Sequence, residues 1–126
     1  MADVLQMSVR CDEFAPGAVR TQMQSLPGLG WVLGDAMLVA SELVTNAVRH
    51  SLCTEDELLR VLVTRDGRLR ISVLDPGASG RSAEIADRPI DLGGLGLKVV
   101  EQLSSMWGTE RRDDGYQVWA ELEIPH

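Results

Sequence analysis

The chain has 126 residues, 44% of them hydrophobic, which suits a single domain (1–126) built around one core. Nineteen acidic against twelve basic residues leave a formal charge of −7, which disfavours direct nucleic-acid binding because that rests on clustered Lys and Arg. No apolar run approaches the roughly 20 residues that cross a bilayer, and Met1-Ala2-Asp3-Val4-Leu5-Gln6 lacks the basic start and apolar stretch of a secretory signal, so the expected location is the cytoplasm, with no membrane contact.

Val4 to Val9 reads as a short strand. Ala15-Pro16-Gly17 then opens a helix, with Pro16 in the first turn where a missing N–H is harmless. That helix is expected to reach Leu26, before the breaker cluster Pro27-Gly28-Leu29-Gly30. The longest helical pattern runs from Leu33 to His50. Ala36, Val39, Ala40, Leu43 and Ala47 recur along it at three- and four-residue spacing and define a buried stripe, while Glu42, Asn46 and Arg49 recur on another face. His50 at the helix end suits the dipole and needs no further role. Cys11 and Cys53 sit in unrelated contexts without Cys-x-x-Cys or histidine spacing, so neither a zinc site nor a disulfide is expected.

Leu58 to Thr64 is β-branched and apolar, and Asp66-Gly67 is a two-residue hairpin signal leading into Arg68 to Leu74, where Leu69, Ile71 and Val73 alternate with polar residues. That strand stops at Asp75-Pro76-Gly77. From Ala78 to Leu92 no period is visible and a loop is expected, with Arg81 and Arg88 either solvated or on phosphate. A helix from Gly94 to Met106 follows, then strands Trp107 to Arg111 and Tyr116 to Ile124, joined at Asp113-Asp114-Gly115. Hairpins with helices between them suit an α+β two-layer sandwich, a mostly antiparallel sheet with helices on one face.

Three short patterns could carry chemistry. Glu42 and Asn46, four residues apart, share one helix face. Carboxamide oxygen suits Mg²⁺ and a carboxylate can accept a proton, although a solvated polar stripe would look the same. Asp75 at a strand end could accept a hydrogen bond from an exocyclic amine, and Gly77 would let a flat base approach; an ordinary turn has the same composition. Gly93-Gly94-Leu95-Gly96-Leu97 before an apolar helix offers backbone N–H groups to an anion. It lacks the Lys-Ser/Thr of a P-loop and the third glycine and strand lead-in of a dinucleotide fingerprint.

In this order, Glu42-Leu43-Val44-Thr45-Asn46-Ala47-Val48-Arg49-His50, Asp75-Pro76-Gly77 and Gly93-Gly94-Leu95-Gly96-Leu97 resemble the three boxes of the GHKL ATPase and kinase superfamily. The short length and the tail Tyr116-Gln117-Val118-Trp119-Ala120-Glu121-Leu122 look like the anti-sigma-factor serine kinases related to RsbW and SpoIIAB, notably the actinobacterial ones. The resemblance spans nearly the whole chain. It implies the Bergerat ATP-binding sandwich, with ATP and Mg²⁺ as cofactors, Glu42 as general base and Asn46 holding the metal and phosphates. It also implies a nucleotide site completed by Arg49, Asp75 on the adenine amine, Gly77 under the base, and Gly94, Leu95, Gly96 and Leu97 at the phosphates.

Implied partners are a sigma factor and a STAS-domain antagonist phosphorylated on serine; relatives often form homodimers, which the resemblance allows here. The same nucleotide site without turnover, in an anti-sigma binding module, is the alternative. A histidine-kinase catalytic domain is disfavoured, since no helix with a phosphoacceptor histidine precedes the boxes. Two positions depart from the pattern. After Asp75-Pro76-Gly77 come Ala78-Ser79-Gly80 where the family box continues to a second glycine, and Gln117 stands where relatives carry threonine.

Overall fold

The structure is a computed structural model that describes residues 2–50, 53–54, 56–76 and 95–124. Their order is β1 (Ala2–Arg10), α1 (Ala15–Met23), α2 (Val32–His50), β2 (Leu58–Asp66), β3 (Arg68–Asp75), α3 (Leu95–Leu103), β4 (Met106–Arg112) and β5 (Gly115–Glu123). The strands form one sheet in the order β1-β2-β3-β5-β4, and its four pairings are all antiparallel. This is the expected α+β two-layer sandwich.

Period-2 patterning explains which face of the sheet is covered. Leu59, Val61 and Val63 of β2, Leu69, Ile71 and Val73 of β3, and Val118, Ala120 and Leu122 of β5 are buried together. Against them lie Ala15, Val19 and Met23 of α1, the α2 stripe of Ala36, Val39, Ala40, Leu43, Val44 and Ala47, and Val100 of α3. Leu43 is fully buried at the middle of α2, so Leu43→Ala should lower stability by about 2–5 kcal/mol in denaturant unfolding.

The rotation of α2 about its axis decides what its other face presents. It is fixed by the apolar stripe and by Arg20 Nη1 of α1, which donates to the buried Ser41 Oγ at 2.7 Å. One turn on, Thr45 Oγ1 donates to the Ser41 carbonyl at 2.8 Å, so that hydroxyl is satisfied within the helix.

Several boundaries differ from the sequence expectation. Helix α1 stops at Met23 rather than Leu26: Gln24 caps it with a last helical bond to Arg20, Leu26 closes a tighter turn onto Met23, and the residue before Pro27 is disfavoured in a helix. The β2–β3 reversal is tighter than a two-residue loop. Asp66 still pairs with Arg68, leaving Gly67 alone at the tip with φ 73°. Helix α3 ends at Leu103, not Met106, because Ser105 is tied to β5, its N–H and Oγ both donating to the Glu121 carbonyl, and Met106 begins β4 paired with Glu121.

The uncovered face of the sheet carries long side chains that shelter one another. Arg70 lies over the Trp119 ring, 4.3 Å from its centre, and donates to Glu121 at 3.1 Å; Arg112 donates to Gln117 Oε1 at 2.9 Å. Thr64, Leu74 and Gln117 on this face are buried as a result, although alternation alone marks them as exposed.

Candidate functional site

Glu42 and Asn46 lie on the face of α2 turned away from its apolar stripe, and both are half-buried, whereas Arg49 at the end of that row is exposed. Among the described residues, neither the Glu42 carboxylate nor the Asn46 carboxamide has a hydrogen-bond partner. Their polar atoms are thus left open to solvent or to a ligand.

Asp75 ends β3 and is only 4% exposed. Its backbone is held on one side by β5, where it pairs with Tyr116. The other neighbour was not expected from the sequence. Cys53, just beyond the C-terminus of α2, lies within electrostatic reach of Asp75 and hydrogen-bonds with Cys11. The two cysteines, read from the sequence as unrelated, therefore meet, because Cys11 follows β1 and donates its N–H to the Glu57 carbonyl just before β2. Burial first, then the Cys11 hydrogen bond and the negative charges of Asp75 and Glu57, push the Cys53 thiol well above the ordinary thiol range, so it stays protonated and weakly nucleophilic.

That neighbour also orients the site. Since Cys53 follows α2 by three residues and senses Asp75, the C-terminal ends of α2 and β3 lie at the same end of the sandwich. Asn46 is four residues before the last residue of α2, about 6 Å along the axis at 1.5 Å per residue. Helix α3 packs on α2, and its first turn holds Leu95, Gly96 and Leu97. The first N–H groups of a helix have no intrahelical acceptor, so this turn offers donors to an anion. Gly77 and Gly94, with Arg81 and Arg88, lie outside the described residues.

A depression of roughly 440 Å³ exists elsewhere, on the uncovered sheet face beside the Gly67 turn. It is lined by Arg68 and Arg70, whose charges are paired with Glu121 and Glu123 at 3.1–3.7 Å, and it sits at the opposite end of β3 from Asp75. Neutralised cations at that distance add nothing to the site at Asp75. Among the described residues no group of three or more His, Cys, Asp or Glu could hold a metal, and no helix is long and apolar enough to cross a membrane.

The β4–β5 turn beside Asp75 is tied down by charge. Asp114 accepts from Arg60 of β2 at 2.8 Å and pairs with Arg112 at 3.2 Å. Partial desolvation raises the Asp114 pKa, but the hydrogen bond to its own backbone and the Arg112 and Arg60 charges outweigh that and hold it below the usual carboxylate range. A depressed folded pKa contributes stability above the unfolded value, near 3.9, and loses it as pH falls through the folded value. The Tm difference between wild type and Asp114→Asn should therefore be present at pH 6 and shrink progressively as acidification takes the pH below about 4 and through the lowered folded value.

A model of the histidine kinase-like ATPase domain family matches residues 16–122 of the chain. Among solved structures it is similar to the RsbU and RsbW domains of a Mycobacterium tuberculosis protein, with a TM-score of 0.67 and 21% identity over 95% of this chain and 32% of that one. It is also similar to the histidine kinase domain of a blue-light activated histidine kinase from Erythrobacter litoralis, with a TM-score of 0.55 and 20% identity over 92% of this chain and 62% of the other. The chain thus spans less than two thirds of either solved chain, and at these identities the likeness is one of fold. No match was found among curated proteins.

Proposed function

Because the chain belongs to the histidine kinase-like ATPase domain family, we propose that residues 1–126 form one ATP-binding domain that acts as a protein serine/threonine kinase on a STAS-domain antagonist and as an anti-sigma factor. The observation that carries this is the pair of half-buried side chains, Glu42 and Asn46, one helical turn apart on a face of α2 outside its apolar stripe and without partners among the described residues, with Asn46 in the turn that leads to the end of the sandwich where Asp75 is buried.

The residues fit ATP with Mg²⁺ in kind. Asn46 would supply a neutral oxygen to the metal, Arg49 a cation toward the phosphates, and the first turn of α3, which Gly94 precedes in sequence, backbone donors. Asp75 would accept a hydrogen bond from the adenine amine, and the resemblance assigns Gly77 to the base. Mg²⁺ held there would supply charge neutralisation of the phosphates. Glu42 accepts the proton of a serine hydroxyl as its oxygen bonds to the γ-phosphorus, while the bond to the bridging oxygen breaks and ADP leaves. Positioning supplies most of the rate.

Partner choice rests on likeness to the anti-sigma serine kinases, and the solved relative that contains an RsbW domain supports it. Incubation with ATP, Mg²⁺ and STAS-domain proteins should yield phosphoserine on the STAS partner. Phosphohistidine, or no transfer to any STAS protein, would contradict the kinase assignment.

A further inference from the structure

Gly115 is the first residue of β5, and it lies against the end of β3. A Cβ built on Gly115 would overlap the carbonyl oxygen of Asp75 and come within 2.9 Å of its carbonyl carbon and 3.1 Å of Pro76 Cα. These are backbone atoms, which cannot swing aside as a flexible side chain would. The φ of Gly115 is 146°, a conformation that L side chains rarely adopt. Gly115 itself is buried, closing the β4–β5 turn opposite Arg112.

The turn is also clamped from the far side of β3. Arg60, which holds Asp114, is the β2 partner of Leu74, the residue before Asp75. Asp114 therefore reaches over the terminal residues of β3 to β2, while Gly115 seats its backbone directly on Asp75 and Pro76. The ion pair ties the turn to β2 beside Leu74, and the close approach of Gly115 seats it on Asp75 and Pro76.

We propose that Gly115 is a positioning residue that sets how deeply, and in what orientation, Asp75 meets the purine, and so sets discrimination at the 6-position of the base. This rests on the base-recognising role of Asp75 given above. A carboxylate accepts from the 6-amino group of ATP but faces a carbonyl oxygen in ITP, so correct placement favours ATP and displacement removes the preference. A Cβ at Gly115 pushes the Asp75–Pro76 backbone away. The residues assigned to the phosphates, on α2 and α3, are not among the atoms that this Cβ would meet.

ATP and ITP, each with Mg²⁺, are titrated by calorimetry into wild type, Gly115→Ala, Asp114→Ala, Gly67→Ala and Asp75→Asn. Gly115→Ala should lower the ATP-to-ITP affinity ratio by about tenfold or more, through ATP, with ITP little changed. Asp114→Ala, which loosens the same turn without adding atoms, should lose part of the ratio and covers the case in which Gly115→Ala does not fold. Gly67→Ala controls for backbone strain, since Gly67 also has positive φ, 73°, but open space around it; its ratio should stay at the wild-type value. A wild-type ratio in folded Gly115→Ala, or in Asp114→Ala where Gly115→Ala is unfolded, overturns the proposal while leaving Asp75 in place. A wild-type ratio in Asp75→Asn removes the role of Asp75 and the proposal with it.

Discussion

Glu42→Ala should lower phosphoryl transfer to a STAS-domain serine by about 10²–10⁴-fold, the usual contribution of a general base, while ATP still binds. The separation is expected because Glu42 lies one turn from Asn46 on the same face and outside the apolar stripe of α2, so its removal opens no cavity in the core. Its carboxylate supports no other described side chain, and the melting temperature should stay near that of the wild type. Single-turnover transfer, followed beside ATP affinity, reads the two effects separately. Transfer at the wild-type rate would take Glu42 out of the chemistry. A wild type that binds ATP and captures its partner without transfer would instead fit a nucleotide-dependent binding module.

Asn46→Ala should weaken ATP binding in Mg²⁺ by about 10–100-fold, the range for losing a contact to charged groups. The side chain is half-buried one turn before the C-terminal end of α2. If Asn46 acts through the metal, the gap between variant and wild type should narrow when EDTA removes Mg²⁺, because the contact is then absent from both. An equal gap with and without the metal would place Asn46 on the phosphates alone. A loss of melting temperature comparable to that of Leu43→Ala would mean that the amide serves the fold.

The layers were legible wherever one period dominates. The stripe on α2 and the alternation of Leu69, Ile71 and Val73 are local patterns that survive into the buried core. Pairings made across the sheet were not. Gln117 and Thr64 occupy positions that alternation assigns to solvent, yet they are buried, and Gln117 lies under Arg112 of the neighbouring strand in a sheet face that Arg70 and Trp119 also shelter. Helix α3 gave up Ser104 to Met106 because the Glu121 carbonyl, remote in sequence, accepts from Ser105.

The candidate site divides in the same way. Glu42 and Asn46 could be found by spacing because a helix places residues four apart on one face. Asp75 could be found because strand ends are marked by Pro and Gly. Gly115 was read only as the last residue of a hairpin signal, since nothing local reveals that it abuts Asp75. The meeting of Cys11 with Cys53 beside that same carboxylate is likewise set by the β1–β2 pairing, not by cysteine spacing.

Calorimetric titration with ATP, in the presence and absence of Mg²⁺, tests the central claim most directly. One ATP per chain should bind with micromolar to millimolar affinity, more tightly with Mg²⁺ than without, and the heat should diminish in Asn46→Ala and Asp75→Asn. No heat at millimolar ATP with Mg²⁺ from a folded wild-type protein would contradict the account.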